Sequence, residues 1–371
     1  MESPELGRKR AVAACALTFG ALRRLIEGHS SPRHFTREDS MSAVRLAPRL
    51  TPLFSTGLSV ALALGALSAP LHAQNGKVRD AITRAREQRQ DEGLDDGADD
   101  IGRFSLPANV RVERDVSYGA DPKQRFDVYI PAKASHAPVL FLVHGGGWRR
   151  GDKAARSVVE NKVARWTKAG FIVISTNYRL LPAADPIMQA GDVARAIAVA
   201  QQRLPAWGGD PDRMVLVGHS AGAHLVALVA TDGALLGHEA ARPVIGTLIL
   251  DSAALNVELL MLEPHLPLYD AAFGARRKYW QAASPFRSLA AGDAPFMLVC
   301  STLRRESCNE ATKFARRAKA LAVSAQVLQE PLSHRQINEQ LGTAGAYTDS
   351  VEAFLRTLDY SLARALTAST K

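Results

Sequence analysis

A serine between two glycines is the residue of this sequence best suited to nucleophilic chemistry. It stands in the pentapeptide GHSAG (218–222), after the apolar run 214–217 and before a run with helical periodicity. A strand, a tight turn and a helix in this order expose a serine hydroxyl at the edge of a sheet, and a side chain at either glycine would collide with its neighbours. We therefore expect Ser220 to be a nucleophile on a strained turn. The amide of Ala221, at the helix start, is an expected donor to a developing oxyanion.

A second glycine motif, HGGGW (144–148), follows the apolar run 139–143. Consecutive glycines let main-chain amides approach a ligand closely, so we expect Gly146 and Gly147 to supply the remaining oxyanion donors. A phosphate-binding loop is excluded, because neither G-x-G-x-x-G nor a G-K-[ST] ending is present. His144 is expected to anchor the loop by hydrogen bonds rather than to transfer protons.

A serine hydroxyl needs a general base. For a serine on a strand–turn–helix of this kind, a histidine late in the chain supplies that base. His224 lies one helical turn after the nucleophile and is expected to pack against the sheet, while His238 and His265 fall in loop or cap sequence. His334 follows the last expected strand, in a loop that can hold an imidazole above Ser220. We expect His334 to be the base.

The carboxylate that orients this histidine is expected in the loop after the apolar run 296–300, but that loop contains no aspartate. Glu306 is the nearest carboxylate in that loop. In sites with a nucleophilic serine on this kind of turn, a glutamate can orient the histidine in place of an aspartate. Glu306 is therefore the expected orienting acid. Asp251, at the end of the preceding strand, is the main alternative, and Asp293 is interpreted as a turn residue. A surface glutamate at the start of the next helix is the structural alternative for Glu306.

The elements that must position these residues alternate between short β-branched runs and longer helical segments. This alternation predicts an α/β fold, a mostly parallel twisted sheet of about eight strands flanked by helices. The stretch 252–295, rich in proline and aromatic residues, is expected to form a small cap over the site. Strands are expected at 110–117, 125–130, 139–143, 171–177, 214–217, 244–250, 296–300 and 326–328, the first two as an exposed antiparallel hairpin, and helices at 153–169, 188–202, 221–230, 308–321 and 348–363.

The N-terminal region predicts export. Residues 1–73 form a leader in which Met41 begins a signal-peptide pattern of basic residues and an apolar run, with cleavage expected near Ala73. An uncleaved amphipathic or anchoring N-terminus is the alternative. Residues 74–106 are charged and form an expected solvated tether, and residues 107–371 form the folded domain. The expected location is periplasmic or secreted, where Cys300 and Cys308 could pair; two plain thiols, with Cys300 buried, are the alternative.

Composition limits the function classes. The chain of 371 residues has a net charge of +9, but the leader alone holds nine basic and five acidic residues. Many of the basic groups of the domain lie in cap and helix sequence without base-stacking aromatics, so no nucleic-acid partner is expected. The same surface favours anionic substrates or envelope surfaces. No cofactor or metal is expected, because no cluster has ligand spacing, and no stable membrane span is expected after processing.

With HGGGW, GHSAG and a late LSH (332–334) in this order, the chain resembles the α/β-hydrolase family of carboxylesterases. Within that family it is similar to the bacterial feruloyl- and acetyl-esterase-like enzymes, the hormone-sensitive-lipase-like esterases and the kynurenine formamidases. Further matches are RGDK (150–153), NYRL (177–180) and WGGDP (207–211), and the resemblance covers about 107–360. It implies hydrolysis of small-molecule esters through an acyl-enzyme, with Ser220 as nucleophile, His334 as base and Gly146, Gly147 and Ala221 as oxyanion donors. The acid loop departs from the family pattern.

Two other functions stay open from the sequence. A formamidase or amidase would use the same residues on an N-acyl bond such as that of N-formylkynurenine. A catalytically inactive, hydrolase-like binding protein is the second alternative, suggested by the acid loop.

Overall fold

The computed structural model describes residue 97, residues 100 and 101, and residues 104–368. The expected signal peptide (41–73) and most of the expected tether (74–106) lie outside these residues. At the end of the tether, Gly97 is buried and its carbonyl accepts a hydrogen bond from Ser157 Oγ (3.0 Å). This end of the segment therefore contacts the folded domain, and the expectation of a fully solvated tether is wrong there.

All eight expected strands are present and form one sheet in the order β1-β2-β4-β3-β5-β6-β7-β8. β1 and β2 pair antiparallel with their neighbours, and the pairs from β4 to β8 are parallel. The α/β class predicted from the sequence is confirmed. The strands are β1 Val110–Ser117, β2 Arg125–Pro131, β3 Ala137–Val143, β4 Ile172–Thr176, β5 Gly209–His219, β6 Gly246–Leu250, β7 Phe296–Ser301 and β8 Ala325–Glu330.

The hairpin at the sheet edge differs from expectation in its burial. β1 is half-exposed, as its alternating sequence predicts, but the inner residues of β2 are buried. β2 lies between β1 and β4 in the sheet, so both of its edges are paired. Position in the sheet, more than polarity pattern, decides its burial.

Helices cover both faces of the sheet. Alternate residues of the buried strands point to opposite sides, as the pleat requires: Leu216 and Ile249 face one layer of helices, and Val217 and Leu248 face the other. The first layer is α2 Pro186–Arg203, α3 Ala221–Thr231 and α9 Arg305–Ala320, and the second is α1 Arg156–Lys168, α10 His334–Gln340, α11 Ala346–Leu358 and α12 Tyr360–Ala368.

The last expected helix, 348–363, is two helices in the structure. The backbone of Asp359 is extended, which ends α11, and its carboxylate accepts a hydrogen bond from the Ser361 amide (2.7 Å). An aspartate that accepts from the first turn is a typical N-cap. The break is therefore caused by a capping residue inside a segment whose periodicity continues.

Short helices fill the segment between β6 and β7, where the sequence predicts a cap. Residues 266–269 of this segment line a cavity at the carboxyl ends of the parallel strands. The remaining helices are α4 Gly233–His238, α5 Val257–Leu262, α6 Pro267–Phe273, α7 Arg277–Ala282 and α8 Pro285–Ser288, and a 3₁₀ turn spans Leu204–Trp207.

A disulfide joins Cys300, at the end of β7, to Cys308 in the first turns of α9. It closes the loop in which the orienting acid is expected. In the described part of the chain, no helix is both long and apolar enough to cross a membrane.

Candidate active site

A cavity of 620 Å³ lies where the parallel strands end. Its walls come from the segments that follow β3, β5, β6 and β7, which is the edge where ligands bind in open α/β sheets. Ser220, Ala221, Gly146 and Gly147 all line it, so the structure brings together four of the six residues predicted for the site. The other lining residues are Trp148, Arg149, Arg150, Asp251, Ser252, Ala253, Ala254, Leu266, Pro267, Leu268, Tyr269 and Arg304.

Ser220 sits on the tight turn between β5 and α3. Its φ of 56° and ψ of −118° lie outside the regions that non-glycine residues ordinarily occupy. Neighbouring packing enforces this turn: a Cβ on Gly218 would lie 2.3 Å from the Gly222 carbonyl oxygen, and one on Gly222 would lie 2.3 Å from that of Val143. The collisions predicted for both glycines are confirmed.

The glycine loop after β3 has three successive residues with positive φ, Gly146 (101°), Gly147 (58°) and Trp148 (60°). The amides of Arg149 and Arg150 both donate to the Gly146 carbonyl (3.1 Å each), which fixes the turn. A Cβ on Gly146 would lie 2.2 Å from the Arg150 carbonyl oxygen, so only glycine fits there. The backbone of Gly146 and Gly147 is therefore fixed at the cavity wall.

Two histidines near this loop have structural roles: His144 anchors the loop, as the sequence predicts, whereas His224 contacts the loop and the cap segment where the sequence predicts packing against the sheet. His144 stacks on Tyr178 (ring centroids 4.4 Å apart), and its Nδ1 donates to the Gly145 carbonyl (2.8 Å). His224 accepts from the Trp148 indole at Nδ1 (3.3 Å) and donates from Nε2 to the Ala283 carbonyl (2.8 Å). Burial lowers the pKa of His224 to about 4, so this ring stays neutral and ties the glycine loop to the cap segment.

His334 begins α10, and its Nδ1 lies 2.6 Å from Asp251 Oδ2. Asp251 directly follows β6, and its side chain is fully buried. Its Oδ1 accepts from the Ser301 amide (2.8 Å). Burial alone would raise the pKa of Asp251, but the hydrogen bond from His334 and the charge of Arg304 hold it far below its usual range. The histidine therefore has an ionised carboxylate against Nδ1.

The carboxylate on His334 is thus Asp251, and the prediction of Glu306 is wrong on this geometry. The Glu306 side chain is 62% exposed, and its carboxylate lies 3.5 Å from Arg304 Nε. It stands in the first turn of α9 and points to solvent, which agrees with the structural alternative for this residue.

Arg304 occupies the place in the β7–α9 loop where the sequence predicts an acid. Its Nη1 lies 2.6 Å from Asp251 Oδ2 and 2.6 Å from His334 Nδ1. The guanidinium therefore shares the carboxylate with the histidine. The Arg304-Arg305 pair is visible in the sequence, but no sequence signal indicates which of the two side chains turns inward.

His219, the residue before Ser220, contacts the first residue of α10. Its Nε2 donates to the His334 carbonyl (2.9 Å), and the two rings lie 4.4 Å apart. Burial, together with the neighbouring His334, lowers the pKa of His219 well below its usual value. A neutral ring with its proton on Nε2 satisfies this contact, and no role is predicted for His219 from the sequence.

Lys162 of α1 holds the other end of α10. Its side chain is buried, and Nζ donates to the carbonyls of Asn338 (2.6 Å) and Ser157 (3.0 Å). Within the described residues it forms no ion pair, and burial lowers its pKa from 10.5 to about 7, against a weak opposing effect of Glu339. A buried lysine without a counter-ion favours its neutral form.

We expect Lys162 to make the stability of the protein rise with pH. Between about pH 7 and 10.5 the unfolded chain binds a proton at this lysine that the folded chain does not, so the free energy of unfolding increases over that interval. Urea unfolding at pH 6.5 and 9 should show wild type gaining stability relative to Lys162→Met. Lys168→Met, at an exposed lysine of the same helix, is the matched control and should give a pH-independent difference. An unchanged Lys162→Met difference would contradict the expectation.

Among the residues that the structure describes, no group of three or more His, Cys, Asp and Glu side chains is arranged to hold a metal ion.

Known proteins resemble this chain in sequence over its central part and in fold over most of its length. The family model BD-FAE matches residues 126–242. Isoprenylcysteine alpha-carbonyl methylesterase of Arabidopsis thaliana is 34% identical over 125 residues, 33% of this chain and 29% of that protein. Esterase LipQ of Mycobacterium tuberculosis is 32% identical over 185 residues, 45% of this chain and 42% of that protein. The chain therefore spans less than half the length of these relatives.

Solved structures show the same fold at low identity. Esterase B from Lactobacillus rhamnosis superposes with a TM-score of 0.58 at 22% identity, over 81% of this chain and 99% of that chain. Esterase 2 of Thermogutta terrifontis, in a form phosphonylated by sarin, has a TM-score of 0.57 at 20% identity, over 69% of this chain and 97% of that chain. The described sheet, its order and its crossing helices are those of the α/β-hydrolase fold.

Proposed function

We propose that this chain, which has the α/β-hydrolase fold, hydrolyses carboxylic esters of small molecules through an acyl intermediate on Ser220. The observation that carries the proposal is the placement of Ser220 on its strained turn, facing the glycine loop across one cavity, with a buried histidine–carboxylate pair beside that cavity. These groups supply a nucleophile, an expected base and oxyanion donors.

In the proposed reaction, His334 accepts the proton of the Ser220 hydroxyl at Nε2 as the oxygen attacks the ester carbonyl. The carbonyl π electrons move to oxygen, and the amides of Gly146, Gly147 and Ala221 donate to the oxyanion. The tetrahedral intermediate then expels the alcohol, which takes the proton from His334. A water molecule, deprotonated by His334, attacks the acyl-enzyme in the same way and releases the acid and the free serine.

Asp251 has the orienting role in this scheme. Its carboxylate accepts the Nδ1 proton of His334, which leaves the Nε2 lone pair to act as base and stabilises the imidazolium that forms. Arg304 keeps Asp251 ionised and is a positioning residue, because it acts through the carboxylate.

Two further observations favour an ester over an N-acyl substrate and an active over an inactive protein. Two relatives that are 34% and 32% identical over the matched residues are named as a methylesterase and an esterase. The strained backbone of Ser220, which costs stability, occurs beside the buried histidine–carboxylate pair, and such strain is typical of functional sites.

We propose also that the chain is exported. The pattern from Met41 to Ala73 is that of a signal peptide, and the Cys300–Cys308 disulfide is the kind of bond that persists in oxidising compartments.

The function is tested with three reagents on the purified protein. We expect a fluorophosphonate probe to label one residue, Ser220, by mass spectrometry, p-nitrophenyl acetate to be hydrolysed, and N-formylkynurenine to be a poorer substrate. If N-formylkynurenine is hydrolysed faster than p-nitrophenyl acetate, the function is that of a formamidase and the proposed esterase function is wrong. If the probe does not label the protein and neither substrate is hydrolysed, the protein is an inactive, hydrolase-like binding protein.

A further inference from the structure

Tyr269 of the cap segment brings an unpaired hydroxyl to the active-site cavity. The residue belongs to α6, lines the cavity together with Arg304 and Asp251, and is 7% exposed. Within the described part of the chain, its hydroxyl has no hydrogen-bond partner. A hydroxyl on a buried side chain is ordinarily paired, and leaving it unpaired costs free energy. A ligand in the cavity can supply the missing partner.

The ring of Tyr269 is held by aromatic neighbours. It makes an edge contact with Trp148 of the glycine loop (ring centroids 6.0 Å apart) and stacks on Phe273 (6.4 Å, interplanar angle 12°). His265 also contacts the ring edge-on (6.4 Å), and the Tyr269 amide donates to the Leu266 carbonyl (3.0 Å). Because both ring and backbone are held, the hydroxyl has a fixed position, and little conformational entropy is lost when it binds a ligand.

The surroundings make this hydroxyl a hydrogen-bond donor. Burial raises the pKa of Tyr269; the charge of Arg304 opposes this effect, and those of Glu306 and Asp251 add to it. The hydroxyl therefore keeps its proton at neutral pH. Arg304 and Asp251 already contact each other (2.6 Å), so neither depends on Tyr269 as a partner. A protonated hydroxyl at a cavity wall is matched by an acceptor oxygen of a ligand.

From these contacts we infer that Tyr269 is a substrate-binding residue, and that the cavity selects esters carrying a second oxygen that accepts a hydrogen bond from its hydroxyl. This inference rests on the proposed ester hydrolysis and names its substrate class. In the proposed reaction the ester carbonyl is bound by main-chain amides, so the oxygen bound by Tyr269 lies elsewhere in the acyl or the alcohol part. A substrate without this oxygen leaves the hydroxyl unpaired and reacts less well.

Isosteric ester pairs that differ by one ether oxygen test the inference with the full chain. On the acyl side, 4-nitrophenyl 4-methoxybutanoate is compared with 4-nitrophenyl hexanoate. On the alcohol side, 2-methoxyethyl acetate is compared with butyl acetate. For each pair, the ratio of kcat/KM for the ether to that for the hydrocarbon ester is measured in wild type and in Tyr269→Phe, which keeps the ring and removes the hydroxyl.

We expect this ratio to be about fivefold higher in wild type than in Tyr269→Phe for at least one pair, the worth of one hydrogen bond. The pair that responds shows whether the bound oxygen lies in the acyl or the alcohol part. Because the hydrogen bond is present in the ground state and the transition state alike, its loss should raise KM for the ether and leave kcat nearly unchanged.

Tyr279→Phe is the matched control. Tyr279 is another tyrosine of the cap segment; it does not line the active-site cavity, and its hydroxyl oxygen accepts from the Ile187 amide (3.3 Å). Its removal should leave both ratios at the wild-type value.

Equal ratios in wild type and Tyr269→Phe for both pairs would overturn the inference. An equal loss of activity on all four esters in Tyr269→Phe would also overturn it, because the role of the hydroxyl would then be structural. If the wild type hydrolyses neither these esters nor p-nitrophenyl acetate, the proposed function itself fails, whereas hydrolysis with ratios that do not depend on Tyr269 refutes the oxygen subsite alone.

Discussion

Ser220→Ala is expected to lower kcat for p-nitrophenyl acetate by roughly six orders of magnitude, the loss known for removal of a triad serine in an unrelated hydrolase. The substitution removes the oxygen that would form the acyl-enzyme. It keeps Cβ at a residue whose φ is 56°, so the backbone strain and the stability of the fold should change little. The measurement is a burst-phase assay with mass spectrometry of the acylated protein.

Ser350→Ala is the matched control for this substitution. Ser350 lies on α11, where its hydroxyl donates to the Ala346 carbonyl (2.8 Å) away from the cavity. Its activity should equal that of wild type. A Ser220→Ala protein that keeps its thermal midpoint and still turns over the ester at more than a thousandth of the wild-type rate would show that another group is the nucleophile.

Asp251→Asn is expected to lower kcat by about four orders of magnitude at neutral pH, as the corresponding change does in serine proteases. An asparagine that presents its amide nitrogen to His334 forces the proton onto Nε2, and the base is lost. Glu306→Gln, by contrast, should leave kcat within about twofold, because this carboxylate is exposed and, among the described residues, its ion pair is with Nε of Arg304. Steady-state kinetics of the two variants compare the two carboxylates directly.

Loss of the Asp251 charge also leaves the buried guanidinium of Arg304 without its partner, which is costly. If Asp251→Asn does not fold, the double variant Asp251→Asn/Arg304→Gln removes both charges and makes the same comparison. Glu306 would be the orienting carboxylate if Glu306→Gln lost most of its kcat while Asp251→Asn or the double variant kept the wild-type kcat.

The elements could be predicted because their signals are local. Near-continuous apolar runs placed the five parallel strands β3 to β7, and the GHSAG turn placed the nucleophile on its strained backbone. The helix that begins at His334 was missed, although Ser333 and Gln336 form a capping box that is visible as S-x-x-Q. The burial of β2 was missed because strand order is a long-range property.

The sequence leaves two candidates for the orienting carboxylate because adjacent parallel strands end side by side. Leu250 pairs with Val299, so the residue after β6 and the loop after β7 lie at one place in the fold. Sequence alone leaves both carboxylates within reach of the histidine. A local signal did favour Asp251: it directly follows a buried strand, whereas Glu306 opens a helix behind two arginines.

The three proposed catalytic side chains are attached to parts of the sheet with unequal protection. Ser220 and Asp251 follow β5 and β6, each paired on both sides, whereas His334 follows β8, which lies at the sheet edge and is mostly half-exposed. A strand at the edge of a sheet unfolds locally at a lower free-energy cost than a central strand does. On heating, fraying of β8 and α10 would detach the base while nucleophile and carboxylate stay in place, so hydrolysis should cease below the temperature at which the molecule as a whole unfolds.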